Sequence, residues 1–126
     1  MPETISAVNL AQKFSLFDDY WHPRIVGELN ESYVKLVKLK GEFVWHHHEV
    51  EDELFLVVKG ALLIRLRERE GDRDLRLGEG EFAIIPHGVE HQPVAEAEVQ
   101  VLLLEPKTTL NTGNVQSDRT VRAEWL

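Results

Sequence analysis

The sequence predicts an all-β chain, a small antiparallel sandwich or barrel with one short helix packed in front of it. Three observations carry that prediction. Between Tyr33 and Pro106, short apolar segments rich in Val, Leu, Ile and Phe follow one another at close spacing. Gly, Pro or charged clusters punctuate them. No segment of helical period interrupts them, so crossover helices and a parallel sheet are not expected.

The elements follow in chain order. In NLAQKFSL, residues 9–16, Asn9 stands as an N-cap with Gln12 three positions on, and Leu10 and Phe14 share a helical face. The aromatic, proline-bearing FDDYWHPRIVGELN reads as a connection. YVKLVKLKG is a strand that ends in a turn at Gly41, and EFVWHHH, ELFLVVKG, ALLIRLRE, DLRL, EFAIIP and VQVLLLEP are further strands. Leu62, Ile64 and Leu66 share one parity and Arg65 and Arg67 the other, which sets an inner and an outer face. REREGDRD is a solvated hairpin tip around Gly71. The polar tail from Lys107 onward, with scattered Val, Trp and Leu, fits a last strand or an arm that packs against a second copy.

A chain of 126 residues is enough for one domain with a real core. We expect a single domain over 1–126: an N-terminal helix and arm at 1–32, a barrel core at about 33–105 and a tail at 106–126. With 14 basic and 22 acidic residues, and no stretch of Lys and Arg free of acids, nucleic acid and anionic membranes are poor partners. MPETISAVNLAQKFSLF has no basic leader and its apolar residues are broken by Asn9, Gln12 and Lys13, so neither a signal peptide nor a membrane span is expected and the cytoplasm is the expected location. Cysteine is absent, so a metal site would have to use imidazole and carboxylate.

The histidines in VWHHHEVEDELFLVVKG are therefore the first place to look. On an extended chain, side chains alternate, so His46 and His48 share a face and His47 points away. Their separation of roughly 6 to 7 Å can be closed onto one ion by two leaning rings. Glu53 opens the next apolar strand, where a hairpin can return its carboxylate, and Glu49, Glu51 and Asp52 are expected in solvent. Downstream, Pro86 and Gly88 in GEGEFAIIPHGVEHQP mark a turn that can swing His91 back over the sheet.

These two stretches resemble the paired motifs of the cupin superfamily. Gly41, His46, His48, Glu53 and Gly60 follow the first motif, with four residues between Gly41 and His46 where five are usual. Gly80, Pro86, Gly88 and His91 follow the second, with Ala95 where the family has Asn. That Asn is not a ligand in the family, so the change bears on local hydrogen bonding. The resemblance implies a single double-stranded β-helix, or jelly-roll, barrel with His46, His48, Glu53 and His91 as metal ligands. His22 and His87 are expected to be loop residues, and His47 to share an outer face with Trp45.

Three imidazoles and a carboxylate suit a divalent transition metal, Zn, Fe, Mn or Ni. Six-coordination would leave two positions open for a substrate, whereas tetrahedral zinc would be closed and structural. The resemblance implies metal-dependent oxidation, decarboxylation or isomerisation of a small oxygen-bearing molecule, and the competing reading is a non-enzymatic barrel that binds or senses a small ligand. Short single-barrel chains of this kind are also similar to mannose-6-phosphate isomerase-like proteins, although no Arg or Lys cluster for a phosphate stands near the motifs. A catalytic acid or base is not assignable, because the parity of Lys35 and Glu105 is ambiguous. Lys35 is expected beside a bulge, and an inward Lys35 would suit a substrate carboxylate. A homodimer is expected, with Trp45 and the N-terminal aromatics as candidate contacts.

Overall fold

The computed structural model describes residues 5–126; residues 1–4 of the N-terminal arm lie outside the described residues. The described elements are α1 (Leu10–Phe14), β1 (Arg24–Leu29), β2 (Ser32–Glu42), β3 (Glu53–Lys59), β4 (Leu62–Glu68), β5 (Gly71–Leu77), β6 (Phe82–Ile85), β7 (Glu90–Pro106) and β8 (Glu124–Trp125). The strands form one sheet in the order β5-β4-β7-β2-β1-β8, with β3 joined to β6 and β7. Every pairing is antiparallel except the short parallel contact of β8 with β1. No helix among the described residues is long and apolar enough to cross a membrane.

The long strand β7 closes the barrel. Its first residues pair with β4, from Glu90 opposite Arg67 to Val94 opposite Leu63. Its second half lies between β2 and β3, with Val101 opposite both Val37 and Val57. Between those halves the register slips: Val99 faces Leu39 while Ala95 faces Gly41, so β7 uses extra residues that bend it around the corner. The interior is filled by alternating apolar side chains, among them Val57, Ile64, Val99 and Val101, all fully buried.

Local signals in the sequence hold at the helix and at the hairpin. The Asn9 side chain accepts a hydrogen bond from the Gln12 N–H at 2.9 Å and so satisfies one of the free donors of α1. Phe14 and Phe17 then pack on Leu36, on the outer face of β2. Lys38, on the same face, donates to the Phe17 carbonyl at 2.6 Å. The middle of β2 is consequently buried on both faces, and Lys35 lies inside with Val37 and Leu39. At the β4–β5 tip Glu68 faces Gly71, leaving Arg69 and Glu70 as the turn.

Four expectations need correction. RIVGEL is not part of a connection but strand β1, whose alternation is hidden by a bulge between Ile25 and Gly27 opposite Lys35 and Val34. Gly41 does not end its strand, because it sits inside β2 at φ +84 where the register slips. EFVWHHH is not a separate strand: Glu42 belongs to β2, and the segment after it is held to β7 by Phe43 N–H on the Pro93 carbonyl and by an isolated bridge of His46 with His91. Phe14 and Phe17 are buried within one chain and do not offer themselves to a second copy.

Candidate metal centre

The segment after β2, the first residue of β3 and the start of β7 meet at one end of the barrel. There His46, His48, Glu53 and His91 each present a ligand atom, and these atoms lie within 4.8 Å of one another. Donors sharing one ion at bond lengths near 2.1 Å are about 3 to 4 Å apart, so the cluster is close to a closed coordination shell. All four residues are buried, between 0% and 5% exposed, which is unusual for three imidazoles and a carboxylate without a partner.

The backbone fixes how two of the rings face. His46 Nδ1 lies 2.9 Å from the Val44 carbonyl and His91 Nδ1 lies 2.9 Å from the Val89 carbonyl. A carbonyl only accepts, so each Nδ1 carries the proton and each Nε2 keeps a lone pair for the cluster. The two residues are also bridged through their main chains, His46 N–H to the His91 carbonyl at 3.0 Å and His91 N–H to the His46 carbonyl at 2.8 Å. The Pro86–Gly88 turn is tied to the same place by the Gly88 N–H, 2.8 Å from the His48 carbonyl.

The donor set fits a divalent cation on the evidence of its own unmet polar atoms. His48 Nε2 is 3.3 Å and His91 Nε2 is 3.5 Å from Glu53 Oε1. Yet both nitrogens and that oxygen, together with His48 Nδ1, lack a hydrogen-bond partner among the described residues. Each such buried group costs about 1–3 kcal/mol, a penalty that coordination would remove for the three that face one another.

Electrostatics point the same way. Burial, and next the neighbouring His91, push His46 down to about 4, so its ring is a neutral donor at pH 7. Burial opposes the charge on His48 too, but contact with Glu53 and the Glu53 charge outweigh it and raise this ring. Burial also opposes ionisation of Glu53, but its polar contacts with Glu105, His48 and His91 hold it well below the usual carboxylate range. Burial and then the neighbouring Glu53 hold Glu105 well above that range, although Lys35 pulls the other way. Of the two neighbouring carboxyls, Glu53 is therefore the one that ionises first as the pH rises and Glu105 the one that keeps its proton longer.

Lys35 and Glu105, ambiguous in the sequence, both turn inward. Lys35 Nζ donates to Glu105 Oε1 at 3.0 Å, and both residues are 3% exposed. Lys35 also sits opposite the β1 bulge, so both features considered for it are present. The other histidines lie elsewhere: His47 contacts Glu49 at 2.7 Å, His87 contacts Asp52 at 2.9 Å, and His22 contacts Asp19 and Glu124. Trp45 lies under the Arg67 guanidinium, 3.9 Å from the ring centre.

The tail contributes what the sequence did not reveal. His47 N–H donates to Asn114 Oδ1 at 2.8 Å and the Asn114 N–H donates to the His47 carbonyl at 3.0 Å, clamping the residue between two candidate ligands. Gly113 makes this possible, because a Cβ there would stand 2.2 Å from the His47 oxygen. Above the cluster, Trp21 stacks on Phe43 with ring centres 4.6 Å apart, and Arg119 lies across both rings. Trp21 has a φ of 62, an uncommon conformation for a bulky residue, and is pinned by its indole N–H on the Lys40 carbonyl at 2.9 Å. The space left beside the cluster, bounded by Trp21, Phe43, Phe55, Glu105 and Asn111, is about 40 Å³. That is room for about one water-sized ligand.

Comparison with known proteins shows which family and fold the chain shares. The chain is similar to a cupin-2 domain containing protein from Shewanella frigidimarina NCIMB 400, with 44% identity and a TM-score of 0.74 over 79% of this chain and 93% of that one. It is 34% identical to the uncharacterized protein YdbB of Bacillus subtilis over 65% of this chain and 70% of that protein. It is 35% identical to bovine 3-hydroxyanthranilate 3,4-dioxygenase, but over 48% of this chain and only 21% of the enzyme. Its fold is also shared with hydroquinone 1,2-dioxygenase from Sphingomonas sp. TTNP3 with 4-hydroxybenzoate bound, at 20% identity and a TM-score of 0.70 over 79% of this chain and 32% of that one. Residues 34–105 match the Cupin_2 family, described as a cupin domain, and the chain belongs to that family.

Proposed function

We propose that this cupin holds one divalent transition metal through His46, His48, Glu53 and His91 and uses it for oxidative chemistry on a small oxygen-bearing molecule. The observation that carries the metal reading is the convergence of four buried ligand atoms within 4.8 Å, three of them facing one another without partners. The partial likeness to 3-hydroxyanthranilate 3,4-dioxygenase, over the 21% of that enzyme covered here, supports the oxidative branch over decarboxylation or isomerisation. A bound iron or manganese with positions left open would supply a Lewis acid able to bind substrate oxygen and dioxygen together.

The surrounding residues have definable tasks. Val44 and Val89 carbonyls orient two of the rings through their Nδ1 protons. Glu105, whose carboxyl burial and the neighbouring Glu53 shift upward, stands beside Glu53, and Lys35 balances the pair from behind. Trp21, Phe43 and the tail exclude water from above.

A second reading, a barrel that binds a small ligand without turnover, is favoured by one observation. The space of about 40 Å³ does not admit an aromatic ring unless Trp21 or the tail moves.

The test is metal analysis after dialysis against a weak chelator, followed by oxygen-electrode measurements on the iron- and manganese-loaded protein with ortho-aminophenol and catechol carboxylates. One metal per chain and substrate-dependent oxygen uptake are expected. Retention of metal without uptake across the set would favour the binding reading, and failure to retain any metal would overturn both the site and the chemistry.

A further inference from the structure

Away from the histidine cluster, a cleft of about 510 Å³ opens beside β1, β8 and the start of the tail. That volume is in the range of small-molecule sites, and the space beside the metal ligands is not. Three cations line the cleft, Lys35, Lys107 and Arg122, and no Asp or Glu does. In a chain with 22 acids and 14 bases that local balance is the reverse of the whole, so the cleft gathers the charge that a small anion needs.

The walls add a second kind of selectivity. Tyr33 and Trp125 line the cleft and meet edge to face with ring centres 5.8 Å apart, which gives it an aromatic side. Lys107 is partly engaged by Glu28 at 2.7 Å and lies 5.3 Å from the Tyr33 ring centre. Arg122 is exposed and makes no ion pair among the described residues. Lys35 gives two hydrogen bonds, to Glu105 at 3.0 Å and to the Thr109 carbonyl at 3.5 Å, so one of its three donors is unused. Beside it, Thr109 is buried and its Oγ1 has no hydrogen-bond partner among the described residues.

We propose that this cleft is a second ligand site, for a small organic carboxylate whose apolar or aromatic body lies against Tyr33 and Trp125 and whose charge is met by Arg122 and Lys107, with Lys35 at the inner end. The site is separate from the metal centre and does not depend on it. One link to the metal ligands is Lys35, which contacts Glu105, the neighbour of Glu53.

The test uses the whole chain stripped of metal by a strong chelator, so that binding by coordination is removed and the outcome is independent of the metal reading. Phenylacetate is titrated by calorimetry, with phenylacetamide as the neutral isostere and inorganic phosphate as the anion without an apolar body, while NMR follows the Trp125 indole and the His46 and His91 rings. Phenylacetate is expected to bind and to shift the Trp125 indole, and Arg122→Gln with Lys107→Gln should weaken it by about tenfold or more, as loss of charge partners does. Both side chains reach solvent, so the fold should be kept, which circular dichroism checks. Equal binding of phenylacetamide or phosphate, an unchanged affinity in the double variant, shifts at the histidine rings in place of Trp125, or no binding at millimolar phenylacetate would each overturn the proposal.

Discussion

Replacing Gly113 by alanine tests whether the tail is part of the site or merely lies near it. Gly113 has a φ of +54, and the added Cβ would stand 2.2 Å from the His47 carbonyl oxygen and 3.1 Å from the His46 ring. A backbone contact of that kind cannot relax by rotating a side chain, so the tail must lift. Two hydrogen bonds between His47 and Asn114 then go, at about 1 kcal/mol each, in addition to about 1 kcal/mol for alanine in the left-handed region. The total is about 3 kcal/mol. Gly80→Ala is the matched control, because Gly80 has a φ of +82 and an added methyl group there would meet nothing within 4 Å, so only the conformational cost of about 1 kcal/mol applies. In metal-free protein followed by circular dichroism, a domain of this size should lose about 4 °C for Gly80→Ala and about 10 °C or more for Gly113→Ala. Equal losses in the two variants would refute the clamp.

His48→Ala should abolish metal retention after dialysis against a weak chelator, far beyond the roughly 10- to 100-fold effect of altering a supporting residue, while His47→Ala should keep its metal because the tail grips its backbone and not its ring. Glu53→Gln should be the mildest of the ligand substitutions, since it keeps one oxygen donor, and the same dialysis measures it. The metal-free protein should lose stability as the pH falls: His46 is pushed from 6.5 to about 4, so the unfolded chain binds the extra proton across that window, at a cost of about 3 kcal/mol, partly offset by His48, which is shifted upward. Urea midpoints between pH 7 and 4 check this, and a His46→Gln variant with the same slope would contradict it. The chain should form a homodimer, because β6 pairs only with β3 among the described residues and presents Phe82 and Ile84, 60% and 55% exposed. Light scattering of the wild type and of Phe82→Glu at micromolar concentration should read dimer and monomer, and a monomeric wild type would count against the pairing.

The clustering of His46, His48, Glu53 and His91 was legible because local rules bring them together: alternation separates His46 and His48 from His47, and turn chemistry returns His91. The barrel was legible for the same reason, since its strands alternate between turn residues. β1 was not, because a bulge next to Gly27 breaks the alternation that would have announced it. Lys35 resisted because β2 is buried on both faces, so parity alone does not tell inside from outside. Neither did the tail clamp announce itself, as it needs a glycine without a side chain, a backbone N–H that every residue carries, and one Asn side chain with no motif around it to mark its partner.

The paired main-chain hydrogen bonds between His46 and His91 mean that the two halves of the candidate metal centre are aligned by groups no substitution removes, proline excepted. Ligand chemistry and ligand placement are thereby uncoupled. An Asp or Glu put in place of either ring would inherit the same anchoring point on the barrel wall, so under the proposed metal reading a change of donor type at these positions should alter which metal is retained while the fold is kept. The same pairing predicts that the two amide protons exchange with solvent together and slowly even in metal-free protein, at the rate of barrel opening and not of metal release.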